Sequence, residues 1–231
     1  MNKKKAIISV VIIILFLAVI AVLGLVVFNW FGVTGAAIVK PELETYTYKG
    51  PGGEYEFTVD DTKDQIFHVI HYNANGIIRN VPFLYGPKQL KKEIPMEPDL
   101  MDNLVYDTSI GGLKKLIYVT WDPELDEKTD VSQSLWLIIA NVVARVDGSV
   151  YNIQASGAST EYIPGVPQIT CDDASWGTAV IYLRLGDENR IYTEGDCVVL
   201  EATNGENLRK VTERLLYLLL KVYYDNLTSV Y

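Results

Sequence analysis

The feature that most restricts this chain is an uncharged run from Ala6 to Phe28, apolar but for Ser9 and Gly24 and preceded by Lys3, Lys4 and Lys5. As a helix rising about 1.5 Å per residue, the run would reach about 35 Å, enough to cross a hydrocarbon core of about 30 Å with some tilt. A cleaved secretory signal has an apolar stretch of about 7 to 15 residues, so the run reads as an uncleaved signal anchor over residues 6–32. Asn29, Trp30 and Phe31 stand where an interfacial aromatic belt is expected. Gly35, Ala36 and Ala37 would suit a signal peptidase, so release by cleavage is the alternative.

The lysines set the orientation, because positive flanks stay in the cytoplasm. Residues 1–5 are then a cytoplasmic basic tail, and everything beyond the single span of the cell membrane lies outside. The chain carries −9; the tail holds +3 and the span nothing, which leaves −12 on the outer part. Such acidity disfavours nucleic acid and anionic lipid as partners and keeps the domain in solution. The expected partners are the membrane, through the amino-terminal helix, and an envelope protein or a second copy of the chain.

Cys171 and Cys197 both fall in the outer part, where an even cysteine count reads as a disulfide. Between them, Thr178–Leu185 and Arg190–Thr193 read as the two arms of a hairpin turned at Gly186–Asn189. Asn226-Leu227-Thr228 has the glycosylation acceptor pattern.

Residues 33–53 suit a stalk ending in the turn-forming Lys49-Gly50-Pro51-Gly52-Gly53, and residues 54–231 form one domain without repeat or linker. Tyr55, Phe57 and Val59 alternate with polar residues, and Ile66–Tyr72 and Gly76–Leu84 read as further strands, with Pro82 at an edge or bulge. Pro87–Glu93 and Pro98–Val105 read as short helices opened by proline. A βαβ unit follows: Lys115–Trp121 as a strand, Val131–Val146 as a helix capped by Asp130, and Val150–Ala155 as a parallel return strand. At the carboxyl end a strand over Cys197–Ala202 leads through Thr203-Asn204-Gly205-Glu206, read as a capping box, into a helix reaching about Tyr224. Leu208, Val211, Leu215, Leu216, Leu219 and Val222 are its buried stripe. The fold class is α+β: an amino-terminal transmembrane helix, then one mixed α/β domain with a βαβ unit and a carboxyl-terminal helix.

Ile169-Thr170-Cys171-Asp172-Asp173-Ala174, Val180-Ile181-Tyr182-Leu183-Arg184 and Glu194-Gly195-Asp196-Cys197, together with Thr34-Gly35-Ala36-Ala37 after the span, give the chain a recognisable outline. It resembles single-pass membrane-anchored surface proteins of small-genome archaea, a family without a known activity. The resemblance covers most of the outer domain and implies a layout, not a site.

Asp122, Glu124, Asp126 and Asp130, with Glu127, crowd the loop after a strand, the place where open α/β sheets bind ligands. Oxygen ligands at alternate positions there suit Ca²⁺, although the glycine and distal glutamate of an EF-hand loop are missing. A solvated loop complementing the helix dipole is the plainer account. His68 and His71 are the only histidines, and residues three apart on a strand point to opposite faces, so neither a shared metal nor a serine triad is expected from them. No Walker loop or dinucleotide fingerprint occurs. The function expected is a non-catalytic binding or envelope-assembly role at the cell surface. A metal-dependent ectoenzyme using the acidic rim of Asp122, Asp126 and Asp172 and a pilin-like filament subunit are the alternatives. The pilin reading lacks a glutamate in the apolar segment and a matching leader-peptidase site at Lys5-Ala6.

Overall fold

Strict alternation of apolar and polar side chains builds the first sheet. β1 (Glu44–Gly50), β2 (Gly53–Asp60), β3 (Phe67–Ala74) and β4 (Ile77–Phe83) form an antiparallel meander in chain order. One face buries Tyr48, Phe57, Ile70, Val81 and Phe83, while Thr47, Lys49, Glu54 and Glu56 lie exposed on the other. The computed structural model describes residues 43–223 apart from 52, 62, 63, 75, 76, 108–110, 124, 126, 127, 141–150 and 152. The tail at 1–5, the anchor at 6–32, the first part of the stalk and Asn226 therefore lie outside the described residues. Among the described residues no helix is long and apolar enough to cross a membrane. The expected stalk ends in β1, whose Tyr48 is buried and which pairs with β2 along its whole length, so Glu44–Gly50 belong to the sheet, as does Gly53 at the start of β2.

Two short helices follow, α1 (Pro87–Glu93), with Pro87 in its first turn, and α2 (Leu100–Leu104), and then a two-stranded ladder of β5 (Tyr106–Asp107) and β6 (Gly112–Leu113). The second large sheet holds β7 (Leu116–Trp121), β8 (Gln154–Ser159), β9 (Thr178–Leu185), β10 (Arg190–Glu194) and β11 (Cys197–Ala202), ordered β10-β11-β9-β7-β8. All neighbours are parallel except β10 and β11. The expected βαβ unit is present, with β7 and β8 paired in parallel and α3 (Lys128–Ile138) between them in sequence.

Several details differ from the sequence reading, among them the start of α2 at Leu100, two residues past Pro98. β9 and β10 are not a hairpin, because β11 inserts between them. The tight hairpin is β10–β11, where Glu194 opposes Cys197 across Gly195-Asp196. Gly195 has φ 61°, the positive value that a two-residue turn of type II′ requires at its first central position. β8 starts at Gln154 rather than near Val150, because the apolar Tyr151 and Ile153 are not a strand face; both are buried ahead of it, and the Tyr151 hydroxyl donates to Leu219 O at 2.8 Å. α3 begins at Lys128, which puts Asp130 in its first turn instead of at the cap, and the expected residues 141–146 lie outside those described.

The last helix, α4 (Gly205–Leu219), is capped by Asn204, whose side chain accepts Asn207 N–H at 2.9 Å; Thr203 is engaged with Asn189 instead of in a capping box. It stops short of Tyr224 in a Schellman motif: Lys221 N–H donates to Leu218 O and Val222 N–H to Tyr217 O, both at 2.8 Å, with Lys221 at φ 65°. From Val211 to Leu220 every residue of this segment is buried. Tyr217 stacks on Phe83 at 4.0 Å and meets Phe57 edge-on at 6.0 Å, joining the helix to the first sheet, and α4 also packs against α3, β11 and β10. Helix α4 is thus the centre of the core between the two sheets.

The outer face of the second sheet has a separate small core of Val180, Cys197 and Val199, packed by Ile169, Cys171, Ala174, Tyr182 and Tyr192. Its cover is the crossover segment 160–177. That segment is fixed to β7 where the Thr120 hydroxyl donates to Ile169 O at 2.7 Å, and to the start of β11 by the Cys171–Cys197 disulfide. A loop closed by a covalent bridge here takes the place that a helix holds in most parallel crossovers.

Candidate binding site

The carboxyl ends of parallel strands are where the sequence places a ligand, and a cleft opens there. Its volume is about 330 Å³. β7 supplies Trp121, the following turn supplies Pro123 and Leu125, α3 supplies Val131, Ser132 and Leu135, and the segment after β8 supplies Ile163. The local chemistry explains each wall. Trp121 follows the inward-facing Ile117 and Val119 by the two-residue period of a strand and packs at the edge of the main core. Leu125 N–H closes a turn onto Asp122 O at 3.1 Å. Val131, Ser132 and Leu135 share one side of α3 by the three- and four-residue spacing of a helix. Ile163 is held by a turn in which Val166 N–H donates to Ile163 O at 3.0 Å across Pro164-Gly165. Gly165 has φ 83°, and proline followed by a positive-φ glycine is the type II pattern.

Of the acidic residues singled out from the sequence, Asp122 and Asp130 fall among the described residues. Thr120 faces outward and Trp121 inward, so Asp122 returns to the outer side; there its charge, after burial, helps to raise the Tyr182 hydroxyl above its ordinary pKa. Asp130 lies in the first turn of α3. Glu124 and Asp126 lie outside the described residues, and among the described residues no group of three or more His, Cys, Asp or Glu could hold a metal ion.

On the outer face a charged network surrounds Glu201, whose side chain is 5% exposed. Arg184 pairs with it at 2.8 Å, Arg190 at 3.5 Å, and the Tyr192 hydroxyl donates to it at 2.9 Å while accepting from Arg184. Burial pushes the Glu201 carboxyl upward, but the bonds from Arg184 and Tyr192 and the two guanidinium charges outweigh burial and hold it below its ordinary value. The donors and acceptors of this network are turned on one another, the arrangement of a structural cluster covering the sheet.

His68 and His71 lie on opposite faces of β3, as the strand period requires. His68 Nδ1 meets the Tyr46 hydroxyl at 3.1 Å in the half-buried side of the first sheet, and burial lowers its pKa. His71, exposed, bridges the Thr58 hydroxyl at 2.7 Å and Asn80 Oδ1 at 2.9 Å. Both are occupied in cross-strand packing.

The sequence points to the acidic residues of the loop after β7, whereas the cleft beside that loop is walled mainly by apolar side chains. Pro164-Gly165 is a turn-forming pair and Val131 and Leu135 stand at helical spacing, so these local features are present in the sequence; that Ile163 comes back to line the same cleft as Trp121 is a tertiary feature that no local pattern announces. Compared with protein-family models, with curated proteins and with solved structures, the chain matches none, so the functional reading rests on this geometry.

Proposed function

We propose that this chain is a single-pass membrane protein that displays its α+β domain outside the cytoplasm as a non-catalytic binding or envelope-assembly module, with the cleft beside Trp121 as its ligand seat. The cleft carries the reading: it is concave, walled by aliphatic and aromatic side chains, and open at the carboxyl ends of parallel strands, where α/β sheets bind ligands. The uncharged run after three lysines supports the anchor, and the Cys171–Cys197 bridge supports an oxidising compartment. Methyl NMR of the full chain in lipid nanodiscs tests the seat, with indole as the probe. Saturable shifts concentrated on Val131, Leu135 and Ile163 are expected. Uniform small shifts, or none, would contradict a binding role for the cleft.

A further inference from the structure

We propose that the guanidinium of Arg214 is the base of an anion site on helix α4, which takes a small oxyanion, phosphate or carboxylate, as the acceptor that its N–H groups lack. The inference goes beyond the binding role of the cleft and does not rest on it.

The site starts from a charge buried without its acceptors. Arg214 is 6% exposed, and among the described residues neither its Nε nor its Nη1 has a hydrogen-bond partner. Its Cζ stands 3.8 Å from the centre of the Tyr223 ring, and the Tyr223 hydroxyl, which donates to Pro87 O, accepts from the guanidinium. The charge is also felt at Tyr48: burial pushes the Tyr48 hydroxyl up, and Arg214 draws it part of the way back. One ring face and one phenol oxygen leave much of a guanidinium's fork of donors unmet. A buried cation in that condition costs stability until an acceptor, best an anionic one, completes it.

The protein's own carboxylates do not complete it. Arg184 holds Glu201 at 2.8 Å and Arg209 holds Glu213 at 2.6 Å, whereas Arg214 has no such pair among the described residues. Glu213, next to it in sequence, is taken up by Arg209, Leu84 and Tyr85, and Glu206, the other acid of α4, pairs with Lys210 at 3.3 Å. The charged residues that follow helical spacing from Arg214 are cations, Lys210 before it and Lys221 after it. Access comes from the same stripe. Between Val211 and Leu220 each residue is at most 1% exposed except Arg214 and Leu218, which is 7% exposed, so this side of α4 is the one nearest solvent.

The test uses the full chain in nanodiscs of zwitterionic lipid. Inorganic phosphate, and in a second series acetate, replaces chloride at constant ionic strength, while heteronuclear NMR follows the Arg214 Nε–H and thermal melts follow unfolding. A saturable shift of that resonance is expected with at least one of the two, together with a rise in Tm of about 3–6 °C at about ten times Kd. Arg214→Met, which keeps the length without the charge, should lose the rise. Lys221→Gln, which removes an exposed ammonium, should keep it. A shift that grows without saturating, an equal rise in Arg214→Met, or a rise lost in Lys221→Gln would reduce the effect to surface charge and overturn the site. An Nε–H unmoved by either anion would overturn it as well and show the guanidinium to be satisfied within the fold. Should Arg214→Met fail to fold, the titration of the wild-type Nε–H decides alone, with Arg214→Lys used to assign the resonance.

Discussion

The carboxylate of Glu213, wholly buried on α4, accepts the backbone N–H of Tyr85 just past the end of β4 at 3.1 Å. Leu84 N–H donates to the same carboxylate at 3.1 Å and Arg209 Nε at 2.6 Å. One side chain thus ties the central helix to the first sheet and satisfies two backbone donors that the sheet leaves over.

Burial raises the Glu213 pKa above its ordinary value, and the bonds from Arg209, Leu84 and Tyr85 recover only part of that. A carboxyl raised in the folded state binds more protons there than in the unfolded chain, so its contribution to stability falls as pH rises from the usual carboxylate range toward the raised value. Glu213→Gln should remove that slope, while Glu213→Ala should cost about 3–5 kcal/mol by leaving Arg209 and two N–H groups without their acceptor. Urea melts of wild type and both variants from about pH 4 to 8 check this; an unchanged slope in Glu213→Gln would assign the pH dependence elsewhere.

The disulfide closes a separation of 26 residues. On the loop-entropy model it contributes about 3.5 kcal/mol, and at about 2–4 °C per kcal/mol for a domain of this size its loss should lower Tm by about 10 °C. The double variant Cys171→Ser, Cys197→Ser is expected to show that drop in non-reducing buffer. Hydrogen exchange should rise first at Ile169, whose N–H ties the crossover cover to Ser159 O at the end of β8, and at Ala174, whose N–H bonds Cys171 O within the cover. Mass spectrometry finding two free thiols in the native protein would contradict the bridge.

Lys221 occupies the left-handed position that ends α4, where glycine is the usual residue. Its side chain is exposed, so Lys221→Gly should relieve about 1 kcal/mol of backbone strain and raise Tm by about 2–4 °C. A lower Tm would mean that the contact of the Lys221 ammonium with the Tyr151 ring outweighs that strain.

Much of this fold was legible because local chemistry and global packing agree. α1, β9 and β11 lie where proline, β-branched runs and flanking turns put them, and the stripe from Leu208 to Val222 is buried as its spacing demands. β8 was misplaced because Gln154–Ser159 is small and polar and owes its strand to pairing with β7, a tertiary cause that no local pattern announces. The order of β9, β10 and β11 was misjudged because adjacency in sequence favours a hairpin, while insertion of β11 buries Val198 and Val199 on both faces. At the site, the acidic loop drew attention by composition, yet the two-residue period sends Asp122 and Trp121 to opposite sides. The apolar residue is the one that lines the cleft.

The central claim, a domain held outside the cytoplasm by its amino-terminal helix, is tested most directly by labelling intact cells with a membrane-impermeant amine reagent and mapping the modified lysines by mass spectrometry. Lys49, Lys91 and Lys92 are exposed on the domain, whereas Lys3, Lys4 and Lys5 precede the uncharged run from Ala6 to Phe28. Modification of the first group with none of the second until the cells are permeabilised is the predicted result. Labelling of Lys3–Lys5 in intact cells, or protection of Lys49, Lys91 and Lys92, would contradict it.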